Sequence, residues 1–445
     1  MSINPLCGQA LYLSANRMTM KTGSSKKTPK QSRIFKKFFL RIRSLLNFVF
    51  PGITWLKAIL MSLHSIWMII LALLWLGHVN YMDGFEFMND YFNMRSFFKE
   101  YVLQSSSALE SDDKMLFINT SRNNELLPFD NDNTINSVIT DRVVLAEKLR
   151  ILNENQDKIK FVICDVFFES PSADAAADSL LQEEIRKLSD ANKLVMPGFY
   201  NDIEKELINP VFKGTTGLSQ YRSSFMNIQF LKYTLILYDG MPQIPLIAWE
   251  AITNSKIQRK KIGFINYYTH NGRWVLNTFI PEFRYSQSDL VEGLNYFQLG
   301  LFEDYFLKDE QVVIIGDFEG AYDIHHSMAG LISGPVILAN ITASLLNNDH
   351  VISIWYRIVL FLVFFYVSYH TLCYQSRSEP GLSRWAKILY QIRDKKIYLV
   401  LLLLVYVSML FFHHYLHILI LLSYFGLIDF FQNYVFKKKG ENNNF

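Results

Sequence analysis

Hydrophobic residues in this chain form both long apolar runs and short alternating segments, and the two patterns predict different structures. The long runs occupy 58–77, 351–374 and 397–436. A helix needs about 20 apolar residues to cross a membrane, so each of the first two runs predicts one transmembrane helix. The third run is twice that length and predicts two crossings. We therefore expect four transmembrane helices, at 53–77, 351–374, 397–413 and 416–436.

The insert at 78–350 alternates strand-like and helical segments. The strand-like segments are rich in β-branched and aromatic residues: "KMLFINT" (114–120), "KFVICDVFF" (160–168), "KLVMPGF" (193–199), "YTLILYDG" (233–240), "KIGFINYY" (261–268) and "QVVIIGD" (311–317). Helical segments between them include 140–152, 178–188 and 244–252. Continuous apolar strands alternating with helices are typical of a parallel sheet buried on both faces. We expect an α/β fold with a mainly parallel sheet covered by helices.

The distribution of charge predicts which side of the membrane each segment occupies. Residues 1–57, 375–396 and 437–445 carry net charges of +11, +4 and +2, whereas the whole chain carries +3. The remainder therefore carries −14, and nearly all of it lies in 78–350. Basic flanks resist translocation, so we expect the segments 1–52, 375–396 and 437–445 to be cytoplasmic. The acidic insert is then extracytoplasmic, and four helices separate these parts consistently.

The segment "IFKKFFLRIRSLLNFVF" (34–50) interleaves apolar residues with lysine and arginine and ends at Pro51. This composition is typical of an amphipathic helix lying on anionic lipid. A basic run is also found in nucleic-acid-binding proteins, but its place beside a membrane helix favours lipid. We therefore expect membrane lipid, and no nucleic acid, as a partner.

The three cysteines are Cys7, Cys164 and Cys373, and only Cys164 falls in the insert. An intramolecular disulfide is therefore excluded there, and a hydrophobic core must stabilise the domain. At about 270 residues, the insert is long enough to form such a core.

Four motifs of the insert resemble, in order and spacing, the CHASE type-two sensory domain: "TDRVVLAEKLRIL", "FVICDVFFESPSADAAADSLL", "KIGFINYYTH" and "VVIIGDFEGAYDIHHSMAGLISGPVILANITASLL". This resemblance covers roughly 78–436. It implies an N-terminal helix, an extracytoplasmic α/β sensory domain and three further membrane helices in a bacterial inner membrane. In that family a cytoplasmic kinase or cyclase usually follows the last helix. The segments expected in the cytoplasm contain no kinase or cyclase signature, so we expect signalling through a separate protein.

Ligands of open parallel sheets bind beyond the carboxyl ends of the strands. The candidate ligand-binding residues at such ends are Asp165, Glu169, Asn266, Asp317, Asp323, His325 and His326, with Arg142 as a positive partner. Carboxylates and histidines together can hold a metal or transfer protons. The alternative is structural: Asp165 and Asp317 cap loops, Asp323 pairs with Arg142, and the histidines are solvated. The structural alternative is favoured, and we expect no catalytic residues, metal or cofactor.

Polar residues also occur inside the predicted membrane helices. His64, His370 and Asp429 lie at similar depth, and a charge there is costly unless it is paired or neutral. We expect Asp429 to pair with His64 or His370, either as a clamp between helices or as a switch. In the turn, His413 and His417 have helical spacing, but a ligand set is lacking, so a simple turn is favoured over a metal site.

Together these features predict a non-catalytic membrane sensor or scaffold subunit. Its external domain binds a ligand or an envelope partner and couples to a separate protein through the membrane helices. A stand-alone small-molecule receptor is the alternative, and an extracytoplasmic enzyme is a more distant one.

The predicted topology can be tested with a reporter enzyme that is active only outside the cytoplasm. Fused after residue 240 the reporter should be active, and fused after 385 or 445 it should be inactive, because the basic flanks keep those segments inside. Activity at 385 would contradict the arrangement of four helices.

Overall fold

A computed structural model of the protein describes residues 54–77, 114–128, 136–220, 230, 232–237, 240–262, 265–286, 290, 295–320, 323–327, 330–373, 396–412, 414, 416 and 418–431. The chain divides into two compact units, Met1–Leu60 and Met61–Phe445. The first is described only over 54–60. The predicted surface helix at 34–50, both termini, and the turn histidines His413 and His417 lie outside the described residues.

The described elements are eight α-helices and nineteen strands. The helices are α1 Trp55–Gly77, α2 Arg142–Glu154, α3 Ala175–Asp190, α4 Ile244–Thr253, α5 Gly334–Leu346, α6 Ile354–Cys373, α7 Lys396–Phe412 and α8 Ile418–Phe431. The strands are β1 Met115–Asn119, β2 Asn124–Pro128, β3 Asn136–Thr140, β4 Ile159–Cys164, β5 Leu194–Asn201, β6 Glu206–Ile208, β7 Thr216–Leu218, β8 Tyr233–Thr234, β9 Ile236–Leu237, β10 Met241–Pro242, β11 Gln258–Ile262, β12 Ile265–His270, β13 Arg273–Val275, β14 Thr278–Phe279, β15 Tyr296–Gln298, β16 Gln311–Gly316, β17 Ile324–Ser327, β18 Gly330–Ser333 and β19 Val351–Ile352.

The central sheet has seven strands in the order β15-β1-β16-β4-β5-β6, with β7 also paired to β5. All neighbours are parallel except β5 and β6. The register places Ile118 beside Ile315, and Ile315 beside Cys164. The predicted α/β fold with a mostly parallel sheet is therefore confirmed.

Both faces of the three middle strands β1, β16 and β4 are buried. Phe117, Ile314 and Phe161 point into one apolar cluster together with residues of α4 and α5. Their neighbours Ile118 and Ile315 point into a second cluster, with residues of α2 and α3. Side chains alternate between faces along a strand, so helices must cover both sides of these strands.

The helices on the second face begin at aspartates that act as N-caps. The Asp141 carboxylate accepts hydrogen bonds from the backbone N–H groups of Val143 and Val144. Asp174 does the same for Ala176 and Ala177. Such a cap satisfies donors that the first helical turn leaves open, and it contributes about 1 kcal/mol.

The segment 261–268 departs from the prediction. It does not join the parallel sheet. Its residues belong to β11 and β12, which form a separate antiparallel sheet in the order β11-β12-β13-β19. The sheet continues through β19 into α6. The segment 233–240 also differs, since it divides into the short strands β8 and β9, each of which pairs with another short strand.

Four apolar helices lie in the four predicted membrane segments. Within the described residues, two stretches are long and apolar enough to cross a membrane, Trp55–Leu73 and Ile354–Thr371, by length and composition alone. Helices α7 and α8 are shorter, at 17 and 14 residues. One apolar cluster contains Met68 of α1, Phe364 of α6, Leu401 of α7 and Phe425 of α8. All four helices therefore contribute to a common core.

Gly316 tests the close packing of the sheet against α5. A Cβ added there would lie 2.5 Å from Cγ of Pro335 in the first turn of α5, and the proline ring cannot rotate away. We expect Gly316→Ala to cost about 1–3 kcal/mol of unfolding free energy, as in other overpacked cores. Thermal unfolding of the full chain in detergent measures this. The control is Gly426→Ala in α8, where an added Cβ meets nothing within 4 Å. Equal shifts for the two variants would contradict the close packing.

Candidate functional site

A cavity of about 650 Å³ opens at the carboxyl end of strands β4 and β5. Its volume is in the range of pockets that bind small molecules. The lining residues are Asp165, Phe167, Pro197, Phe199, Asp202, Ser219, Gln220, Tyr233, Asp323, His325, Gly334, Ile337 and Leu338. The cavity thus lies where ligands bind in open parallel sheets.

Three predicted residues, Asp165, Asp323 and His325, meet in this cavity. Asp165 directly follows β4, and its backbone N–H donates to the carbonyl of Ile315 at 2.7 Å, which holds it at the end of the sheet. Asp323 and His325 come from the other side, at the start of the hairpin formed by β17 and β18. Their side chains form a pair, with 2.8 Å between Asp323 Oδ1 and His325 Nε2.

The Asp323 carboxylate lies against the first turn of α5. A Cβ added at Gly334 would come within 2.2 Å of Asp323 Oδ2, so only glycine leaves room for this contact. The partial positive charge of a helix N-terminus stabilises a carboxylate there. The Asp323 carboxylate therefore lies at the cavity wall where the N-terminus of α5 favours negative charge.

Asp165 is the unusual acid of the site. Burial raises the pKa of its carboxyl to about 7, and the negative charge of Asp323 adds to this shift, whereas His325 opposes it. An ordinary aspartate has a pKa near 3.9. Burial, with the Asp165 carboxylate adding to it, also raises the pKa of the Tyr233 hydroxyl. Asp165 therefore exchanges its proton near neutral pH, beside the carboxyl group of Asp323.

Tyr233 supplies an unsatisfied polar group. Its side chain is 1% exposed and lines the cavity, yet its hydroxyl has no hydrogen-bond partner among the described residues. Ser219 Oγ in the same wall is likewise buried without such a partner. Leaving a buried polar group unpaired costs about 1–3 kcal/mol. These two hydroxyls are available to a bound molecule.

The other predicted residues lie elsewhere. Arg142 is 1% exposed and pairs with Asp178, with 2.6 Å between Nη1 and Oδ1. Its guanidinium also stacks 5.1 Å from the centre of the Phe168 ring. Phe168 belongs to the cluster on the second face, so α2 directs Arg142 away from the cavity. The expected pairing of Arg142 with Asp323 is replaced by these contacts.

Asp317 caps a loop, which is the structural alternative to ligand binding given above. Its Oδ1 accepts hydrogen bonds from the backbone N–H groups of Glu319 and Gly320 and closes the loop after β16. Glu169 and His326 are exposed and do not line the cavity. Asn266 lies within β12 instead of at the end of a parallel strand, and its side chain is outside the described residues.

His64 and His370, which lie in the predicted membrane helices, have described contacts with other residues. His64 Nδ1 lies 2.7 Å from Ser368 Oγ, and Nε2 lies 2.8 Å from the Tyr424 hydroxyl. Both ring nitrogens are thus engaged, and three helices, α1, α6 and α8, are joined. His370 contacts the rings of Tyr366 and Tyr369 on its own helix. The side chain of Asp429 lies outside the described residues, so its pairing stays a prediction.

Sequence reasoning missed most of the cavity wall. Tyr233, Phe167 and Phe199 fall within predicted strand segments, with nothing to mark them as cavity residues. The two phenylalanine rings meet edge to face, 4.6 Å apart. No motif marks such residues, because their role depends on the approach of distant segments. Asp165, Asp323 and His325 could be predicted from sequence because they are polar residues that follow buried strands.

Asp165 should make stability depend on pH. Its folded pKa lies above the unfolded value, so the folded state binds more protons between pH 4 and 7, and stability falls as pH rises through this window. Relative to the wild type, Asp165→Asn should therefore gain more thermal stability at pH 8 than at pH 5. Thermal unfolding of the full chain in detergent measures both. As a control, Asp309→Asn changes an exposed aspartate and should leave thermal stability unchanged at both pH 5 and pH 8. A constant offset at both pH values would contradict a raised pKa.

Comparison of the chain with models of known protein families, with curated proteins and with solved structures gives no match. The resemblance of its motifs to the CHASE type-two sensory domain therefore stays a prediction from sequence.

Proposed function

We propose that this protein is a non-catalytic membrane sensor, whose α/β domain binds a small molecule in the cavity and signals to a separate protein through the membrane helices. The observation that carries the proposal is the cavity itself, with its unpaired Tyr233 hydroxyl and the Asp165 and Asp323 carboxylates. A scaffold that only binds other proteins has no need of such a cavity. The cavity therefore favours a ligand sensor.

The connection between the cavity and the membrane helices supports signalling. The first two turns of α5 contribute Gly334, Ile337 and Leu338 to the cavity wall. Helix α5 ends at Leu346, and α6 begins at Ile354 after the short strand β19. A ligand that contacts α5 thus acts on an element eight residues from a predicted membrane helix. In the proposal this segment transmits the binding event.

The polar cluster around His64 is the proposed receiving element. Ser368 lies on α6, the helix that the domain leads into, and its hydroxyl donates to the Phe364 carbonyl at 2.6 Å. A neutral His64 ring with its proton on Nδ1 then donates to Ser368 and accepts from Tyr424. A shift of α6 would strain this network, which joins three helices. Polar contacts between membrane helices are worth about 0.6 kcal/mol on average, so a modest push can change their balance.

The proposed topology follows from charge. Helices α1, α6, α7 and α8 cross a bacterial inner membrane, with the acidic domain outside and the basic segments in the cytoplasm. The basic segment at 34–50 rests on anionic lipid. The described helices fit these positions by length and composition for α1 and α6, and by their shared apolar core for all four.

Binding without turnover is proposed because the acid–base pair is open to water. The side chains of Asp323 and His325 are 46% and 26% exposed, and Asp202 at the rim is exposed. Proton transfer in catalysis is most effective where water is excluded and the groups are rigidly held. A solvated pair at the mouth of a cavity is better suited to recognising a ligand.

The proposal is tested by ligand-dependent stabilisation of the full chain in lipid nanodiscs. A library of cationic, neutral and anionic small molecules should contain compounds that raise the melting temperature saturably, because ligands stabilise the state that binds them. Ser219→Trp fills the cavity and should abolish this effect. Ser170→Trp, at an exposed position outside the lining, is the matched control. Stabilisation that survives Ser219→Trp would contradict binding in the cavity.

Signalling is tested with the same ligands. Hydrogen exchange of residues 347–353 should change when the ligand binds. His64→Leu should leave ligand affinity intact but alter the amount of a partner protein that copurifies after mild solubilisation. A protein without any ligand response in 347–353 would be a binding protein only.

A further inference from the structure

The cavity is lined by acidic side chains. They are Asp165, Asp202 and Asp323, and no lysine or arginine occurs among the described residues that line it. An anionic ligand would lose its hydration and meet carboxylates of like charge, which disfavours its binding. A positively charged ligand would instead be attracted by these carboxylates.

The lining is also apolar and aromatic. The Phe167 and Phe199 rings stand nearly perpendicular, at 86°, and Ile337 and Leu338 of α5 line the cavity as well. Aromatic faces attract cations, and apolar side chains take up the body of an organic molecule. The ligand that fits this mixed lining has a charged head and an apolar body.

The Tyr233 hydroxyl provides an independent indication of a ligand. It is nearly fully buried, lines the cavity and lacks a hydrogen-bond partner among the described residues. A phenol oxygen accepts as well as donates hydrogen bonds. It can therefore accept a hydrogen bond from one of the three N–H groups of an ammonium. Asp165 and Asp323 can accept hydrogen bonds from the other two.

A metal ion is a poorer fit than an organic cation. The described residues contain no group of three His, Cys, Asp or Glu side chains placed to hold a metal. His325 is also engaged, since its Nε2 pairs with Asp323. The volume of about 650 Å³ far exceeds that of a single ion and matches a molecule of small-drug size.

We propose that the cavity binds a small organic cation, a protonated amine on an apolar body, and that Asp165 and Asp323 hold its ammonium group. This inference rests on the proposed sensor function and names the class of its ligand.

Binding of the amine releases a proton from Asp165. The groups that face Asp165 are Asp323, His325 and Tyr233, with Cys164 beside it on β4. Burial raises the pKa of Asp165 to about 7, and the charge of Asp323 contributes. An ammonium between the carboxylates removes their repulsion and favours the ionised form. Affinity therefore falls about tenfold for each pH unit below 7 and levels off above it.

The test uses the full chain in nanodiscs and matched probes. Hexylamine and phenethylamine are each compared with the alcohol and the carboxylic acid that share their apolar body, by calorimetry at pH 5, 6, 7 and 8. At least one amine should bind saturably at pH 8 and about tenfold or more tighter than its alcohol and acid. Its affinity should decline below pH 7, and Asp165→Asn should remove this decline.

Two further variants separate recognition from folding. Tyr233→Phe removes only the hydroxyl and should weaken the amine about fivefold, the value of one hydrogen bond. Asp323→Asn should weaken it more, and the exposed control Asp309→Asn should have no effect. An alcohol or acid that binds as tightly as its amine overturns the inference but leaves the sensor function standing. The inference is also overturned if no amine binds, or if the amine binds Tyr233→Phe and Asp323→Asn as tightly as it binds the wild type. The proposed sensor function is contradicted by a different outcome, in which no compound of the wider library stabilises the chain.

Discussion

The burial of strands β1, β16 and β4 on both faces is the constraint on which the rest of the domain depends. Ile118, Ile315 and Phe161 are fully buried, so the middle of these strands is apolar on both faces. Polar side chains stand at the strand ends, such as Gln311 and Asn119, and on the residues that follow. Asp165 and Asp317 occupy such positions, but only Asp165 opens into a cavity. The other folds its carboxylate back onto its own loop.

The electrostatics of the cavity follow from that geometry. Helix α5 packs so closely on the end of β16 that Gly316 has no room for a side chain, and this approach brings the N-terminus of α5 to the carboxyl end of the sheet. The Asp323 carboxylate lies against that N-terminus, where negative charge is favoured. Burial raises the pKa of Asp165, and the charge of Asp323 adds to this shift. The packing of α5 thus sets the electrostatic environment of both carboxyl groups.

The same helix links the two halves of the molecule. Its first turns line the cavity, and its last residue stands a few positions before β19, which pairs with β13. Ile352 of β19 belongs to the apolar cluster that α1, α6, α7 and α8 share. His64, Ser368 and Tyr424 then join three of those helices through hydrogen bonds. The cavity and the apolar helices are therefore connected by a short, continuous stretch of backbone.

Hydrophobic periodicity by itself determined the α/β class, the four apolar helices and four of the central strands, because burial on both faces leaves a continuous apolar run. It also located Asp165, Asp323 and His325. It missed β15, which is only three residues long, and assigned 261–268 to the parallel sheet although these residues form an antiparallel hairpin. Only the tertiary structure decided that Arg142 faces away from the cavity and that Tyr233, Phe167 and Phe199 line it. The spacing of hydrophobic residues in a helix or strand shows which residues are buried. The face of the sheet on which they lie depends on packing between segments that are far apart in sequence.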